Sequence, residues 1–215
     1  HQGNSTEEAL GEKDLDSGGP TDKASKIGKI FRIDQYDKNN NLYKKTFQRW
    51  YGTTVNYNTQ DFVRLGQKVE IIYDGNNTKK ARAEKYIYDT NNGNLLKKTS
   101  MGEVQVSDDA LKQGYVTNDL GTDKFTTDIS YAQDANKKIS LPASEITKDQ
   151  NSNKISETQI FYDNLALFSA TKGYLTKQSS WINGDKYTSN TISYNNYGLH
   201  VSSTDALGNT TTYQY

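Results

Sequence analysis

The sequence predicts an all-β protein, a twisted antiparallel sheet of hairpins with one or two short helical turns. Three observations carry that prediction. Short β-branched and aromatic runs alternate with period two, the breaks between them are rich in Asn, Asp and Gly, and stretches of helical periodicity are scarce. Mean hydropathy is −0.93 and only 33% of residues are apolar, which is low for a compact globule. Such polarity accompanies disorder when aromatics are few, but this chain holds 16 Tyr, 6 Phe and 2 Trp. That combination fits thin sheets with one wet face better than a thick core. The sheet is expected to pack its Tyr-rich face and to wet the face carrying Asn, Lys and Thr.

Taken in order, residues 1–25 read as a disordered linker. Glu7, Glu8, Glu12, Asp14, Asp16 and Asp22 stand among Gly and Ser, and nothing there can bury enough apolar surface to offset the entropy of ordering. Residues 26–140 read as an irregular β segment. Alternation begins at Ile27, with Ile27, Lys29, Phe31 and Ile33 on one face, and returns at Lys68–Tyr73, Lys85–Tyr88 and Asp128–Tyr131. Two short helices are expected inside this segment. One spans Thr59–Gly66 around Phe62 and Leu65, and the other spans Ser107–Gly114, between an N-cap and a terminal glycine. Residues 141–215 read as the start of a hairpin array, with strands at Gln159–Tyr162 and Thr191–Tyr194. The chain opens His1-Gln2-Gly3 without Met, so it is expected to come from a longer protein.

The turns Asp37-Lys38-Asn39-Asn40-Asn41 and Asp149-Gln150-Asn151-Ser152-Asn153 are alike. Asn and Asp tolerate the left-handed backbone and bond their own main chain, so they close hairpins. The same spacing resembles the start of a calcium loop, but the glycine and glutamate that such a loop requires further on are missing. Turns are therefore favoured and no metal is expected.

Composition excludes several functions. Without cysteine there is no disulfide framework and no thiolate metal site. A net charge of zero gives no general case for binding nucleic acid or an anionic membrane, and no apolar run approaches a membrane span, so no insertion by this segment is expected. No phosphate-binding glycine loop is present, and no cofactor is expected. Of two histidines, only His200 lies outside the tail. A Ser/His/Asp set can be drawn from His200, Ser202 and Asp205, but neighbours on one strand do not adopt relay geometry. His200 is expected to face solvent, and the chain is expected not to be an enzyme. Trp50 and Trp181, beside polar turns, are either anchors of the fold or ligand-facing rings of a binding module for sugars.

The clearest internal repeat runs from Tyr194 to Tyr215. It comprises Tyr194-Asn195, Gly198-Leu199, Thr204-Asp205, Gly208-Asn209 and Tyr213-x-Tyr215, with a period of about twenty residues. Partial copies are Tyr86-x-Tyr88-Asp89 with Gly93, and Tyr162-Asp163 with Gly173 after a longer loop; Tyr36-Asp37 and Tyr73-Asp74 are weaker echoes. Tyrosines at i and i+2 share a strand face and can pair across strands. The Asp starts the turn, and the Gly supplies positive φ. Such a unit has to add to a growing sheet.

This unit resembles the YD repeat of the RHS (rearrangement hotspot) proteins, of the B component of insecticidal toxin complexes and of teneurins. The stretches 62–102 and 141–178 resemble the segment that precedes the repeats in toxin-complex B and SpvB-like proteins. Asn195 stands where the repeat usually has Asp, and the insertion after Asp163 breaks the spacing. The resemblance implies a section of a spiralling β shell that encloses the parent's own C-terminal, toxin-like segment. It also implies an extracellular bacterial setting, secreted or cell-surface. The implied partners are the remaining repeats, that C-terminal segment and other toxin-complex subunits. The rival reading is an extracellular adhesin or carbohydrate-binding module.

Overall fold

The computed structural model describes residues 26–54, 61–74, 78–107, 115–133 and 140–215. The chain divides into two compact units, 1–125 and 126–215. Both are antiparallel and nearly helix-free among the described residues.

The first unit is a meander of β1 (Arg32–Tyr36), β2 (Leu42–Thr54), β3 (Asp61–Tyr73), β4 (Lys79–Tyr88), β5 (Leu95–Ser107) and β6 (Tyr115–Asp119). Each strand pairs with the next. Register sorts the side chains onto two faces, because directly opposed residues share a face. Phe47, Val69, Ala83 and Met101 form one row, and Ile71, Ala81 and Val104 form the next. All seven are buried and make the core of this unit. Val116 of β6 packs on that core, and the Arg49 guanidinium lies 3.5 Å from the Tyr115 ring. The sheet therefore curls, so that β6 reaches back over β2.

The opposite face carries charge. Glu70 is buried among Lys44, Lys68 and Arg82, at 2.9, 3.1 and 2.6 Å. Burial pushes its carboxyl up, but the three cations outweigh that and hold it at about 2. Lys98 lies 2.6 Å from Glu84 on the same face.

Three expectations are corrected here. Residues 61–66 are strand, the beginning of β3, and not part of a helix. The spacing of Phe62 and Leu65 matches a helical face, but pairing with β2 along its whole length overrides it. Alternation begins at Arg32 rather than Ile27, because Gly28 is left-handed (φ 81°) and Lys29 N–H bonds the Lys26 carbonyl in a tight turn. Of the expected helix at Ser107–Gly114, Ser107 ends β5 and the rest lies outside the described residues, as does the linker 1–25. The buried core of this unit is made of Phe47, Met101 and aliphatic residues, with no tyrosine among them.

Glycine has a packing role within β3. The Tyr51 ring lies flat on Gly66, and a Cβ there would fall 1.5 Å from Tyr51 Cε2. The ring covers backbone that glycine would otherwise leave bare.

The second unit contains β7 (Phe125–Tyr131, starting on the last residue of the first unit), β8 (Pro142–Lys148), β9 (Lys154–Tyr162), β10 (Leu175–Asn183), β11 (Lys186–Tyr194), β12 (His200–Thr204) and β13 (Thr210–Thr212). These also pair in sequence order. The core is small. Ala132, Ala143, Tyr162 and Ala170 are buried, with Leu141, Ile160, Leu167 and Leu175 against them. The insertion after Asp163 thus supplies Leu167 and Ala170 as a cover over Tyr162. Beyond Ser179 no residue is buried. There the sheet is a single layer, held by its backbone ladder and by cross-strand pairs such as Ser179–Ser189 and Thr204–Thr210, each with oxygens 2.8 Å apart.

Candidate functional site

The repeat positions become hairpin loops of one design. In Asp37–Asn41, Asp149–Asn153 and Asp205–Asn209, Oδ1 of the first residue accepts the N–H groups of the third and fifth at 2.8–2.9 Å. The fifth residue's carboxamide donates to Oδ2 at 2.9–3.1 Å. The fourth residue is left-handed in each, as Asn40 (φ 63°), Ser152 (φ 68°) and Gly208 (φ 88°). Asn195–Leu199 repeats this with an amide oxygen and Gly198 (φ 79°). The aspartates at positions 37, 149 and 205 are held below the ordinary carboxylate range, above all by the Asn four residues on. In the two turns that resemble calcium loops, the aspartate oxygens are thus engaged by their own turn.

Asp89 opens a loop one residue longer, with Gly93 left-handed (φ 80°) and its N–H on the Asp89 carbonyl. Asp163 performs the same task across the long insertion. Its Oδ2 accepts from the backbone of Thr171, Lys172 and Gly173 at 2.7–2.9 Å, and its Oδ1 accepts from Tyr174 N–H at 2.9 Å. Burial pushes this carboxyl up, but the four N–H groups hold it at about 2. Gly173 (φ 85°) precedes the closing residue, as Gly198 and Gly208 do.

The tyrosines divide by unit. Tyr174 and Tyr194 stack at 5.0 Å, Tyr194 meets His200 at 5.9 Å, and His200 meets Tyr213 at 4.6 Å. Tyr194 and His200 are register partners, and Tyr215 closes the row by donating its hydroxyl to the His200 carbonyl. Tyr86 and Tyr88 join no such row. Tyr86 donates to Glu84 at 2.8 Å and Tyr88 to the Leu65 carbonyl at 3.1 Å. Tyr162, buried, donates to the Pro142 carbonyl.

His200 is half-buried in the aromatic row and not solvent-facing. Its Nε2 lies 2.9 Å from the Ser202 carbonyl oxygen, which only accepts, so Nε2 carries the proton. Asp205 is committed to its own loop. The His200 bond goes to the Ser202 main chain and the Asp205 carboxylate is turned to its own loop, so the drawn Ser/His/Asp set does not line up as a relay. Trp50 and Trp181 are half-buried, with indole N–H groups on the carbonyls of Ile30 and Gly184 at 2.9 and 2.8 Å. Lysines lie over both rings, Lys29 at 5.1 Å and Lys154 at 4.6 Å. Sequence reasoning missed the Lys154–Glu157 pair (2.7 Å) beneath Trp181, whose partners come from three strands.

No protein-family model matches the sequence, and no curated protein matches it. Solved structures do. The crystal structure of TcdB2-TccC3-Cdc42 matches 87% of this chain at a TM-score of 0.51 and 12% identity. That of TcdB2-TccC3-TEV matches 87% at 0.50 and 13%. The fold is similar to that of TcdB2-TccC3. This chain spans 15% of the length of those chains, so it corresponds to a limited stretch of TcdB2-TccC3. At this identity the likeness concerns the fold. No helix among the described residues is long and apolar enough to cross a membrane.

Proposed function

We propose that this chain is a section of structural wall in a large YD-repeat protein, a scaffold or casing around the parent's own C-terminal segment. One observation carries the reading. From Ser180 onward no residue of the sheet is fully buried on either face, yet it is built from repeated loops and aromatic rungs that each need a neighbouring strand. A compact domain stabilises itself by a core; a layer of this kind gains stability by adding rungs. The fold likeness to TcdB2-TccC3 and the YD resemblance of Tyr194–Tyr215 support the same reading. On it, the partners are the remaining repeats, the C-terminal segment and toxin-complex subunits, and the setting is extracellular and bacterial. No chemical step is assigned to the chain, and His200→Ala is expected to leave any hydrolytic activity of the parent unchanged.

Peptide mapping and intact mass of the native parent test the proposal. Repeats that continue well past Tyr215 into a separate C-terminal segment support it. A parent that ends close to Tyr215, or that continues directly into a surface anchor, contradicts it and favours the binding module.

A further inference from the structure

In an antiparallel meander, alternate connections emerge at the same end. Asp37 after β1 and Asp74 after β3 therefore stand at one end of the first unit, with the start of β2 between them. A groove of about 710 Å³ lies there, lined by residues 36–37 and 40–43 and by Tyr73 and Asp74. Its walls carry the rings of Tyr36, Tyr43 and Tyr73. Tyr36 and Tyr43 are 53% and 43% exposed, so their rings remain available for contact. Neither hydroxyl, nor the Asn40 carboxamide, bonds any other described residue. The Asn41 amide nitrogen is committed to Asp37, which leaves its Oδ1 as an acceptor. The second unit builds a groove the same way. Between the loops opened by Asp163 and Asn195 lies a space of about 470 Å³, lined by Tyr174, Tyr194 and the side chains of Asn164, Asn195 and Asn196. Tyrosines flanking the loops and amides within them thus line a groove twice, in separate units.

We propose that the Tyr36–Tyr43 groove binds a neutral oligosaccharide. Exposed rings offer flat apolar platforms with a polar tip. The planar amide of Asn40 both donates and accepts, as pairs of sugar hydroxyls do. The wall holds the carboxylates of Asp37 and Asp74, and the Lys45 ammonium lies 5.7 Å from the Tyr73 ring, so charges of both signs suit a neutral ligand. The groove offers donors in the Tyr36 and Tyr43 hydroxyls and the Asn40 amide nitrogen, and acceptors in the Asn40 and Asn41 amide oxygens; a polyhydroxylated chain answers both kinds, whereas a proline-rich peptide offers acceptors and few donors. The size lies within the ordinary range for small-ligand sites. The inference stands apart from the wall reading, since a casing can carry such a groove on its rim.

The test is titration of the full 215-residue chain with cellohexaose, chitohexaose and maltohexaose, followed by amide NMR shifts. The expected result is saturable shifts at 36–43 and 73–74 with at least one of the three, at a dissociation constant of about 1 mM. Tyr36→Ala combined with Tyr43→Ala is expected to weaken binding about tenfold or more while the melting transition persists. Should that pair unfold the chain, Asn40→Gly, which keeps the left-handed backbone and removes the amide, is expected to weaken binding alone. Trp50→Phe and Trp181→Phe are expected to leave sugar binding unchanged. Absence of saturable shifts with all three sugars overturns the proposal. So does binding that survives the groove variants, or a proline-rich peptide that moves the same amides while the sugars do not.

Discussion

At Asp163 one carboxylate gathers four backbone N–H groups and so ties down a twelve-position excursion from Asp163 to Tyr174. Replacing it by Asn leaves one acceptor oxygen for those donors and is expected to cost about 1–3 kcal/mol, read as a lower urea midpoint at neutral pH. The charge sets a pH dependence. The folded-state value of about 2 lies below the ordinary 3.8, so the ionised form favours the fold. Its contribution is complete above the ordinary value and disappears as pH falls from there through about 2. Urea midpoints across that acid window should fall for the natural chain and fall less for Asp163→Asn. Gly208 has open space around it and φ 88°, so Gly208→Ala is expected to cost only the backbone strain, about 1 kcal/mol. The aspartates and loop glycines were legible in the sequence because an Asx turn is made locally. Gly66 was not, because the ring that demands it comes from the neighbouring strand.

At the scale of elements, two devices replace a thick core. On the first unit's charged face, Glu70 joins β2, β3 and β4 through Lys44, Lys68 and Arg82. Glu70→Ala leaves three cations without their shared anion and is expected to lower stability by about 1–3 kcal/mol, measured by urea unfolding. In the second unit the rings of Tyr174, Tyr194, His200 and Tyr213 bind successive rungs. Tyr213→Ala is expected to cost about 0.5–1.5 kcal/mol and to speed amide exchange in β12 and β13 while leaving β8 and β9 unchanged. Alternation made the strands readable, since Lys68–Tyr73, Lys85–Tyr88, Gln159–Tyr162 and Thr191–Tyr194 all fall in strands. The face assignments were only partly readable. Tyr86 and Tyr88 share a face, as period two requires, but Tyr86 bonds Glu84 two residues back on its own strand, and Tyr88 bonds the Leu65 carbonyl of another strand, which depends on register. The helix expected before Gly66 fails for the same reason.

For the whole chain, each unit ends on a strand paired on one side among the described residues, and β13 is exposed throughout. Unpaired edges recruit other strands. Tyr213 N–H points to the Val201 carbonyl of β12, so in strand alternation the Thr212 N–H points away from β12. Thr212→Pro therefore removes an outward donor and spares the β12–β13 ladder. The repeat arithmetic of Tyr194–Tyr215 was legible, while the single-layer character was visible only as low apolar content. Sedimentation velocity of the natural chain and Thr212→Pro, over a range of concentrations, tests the wall account most directly. The account predicts concentration-dependent association of the natural chain that the proline reduces. A natural chain that stays monomeric throughout, with one sharp melting transition, would contradict it.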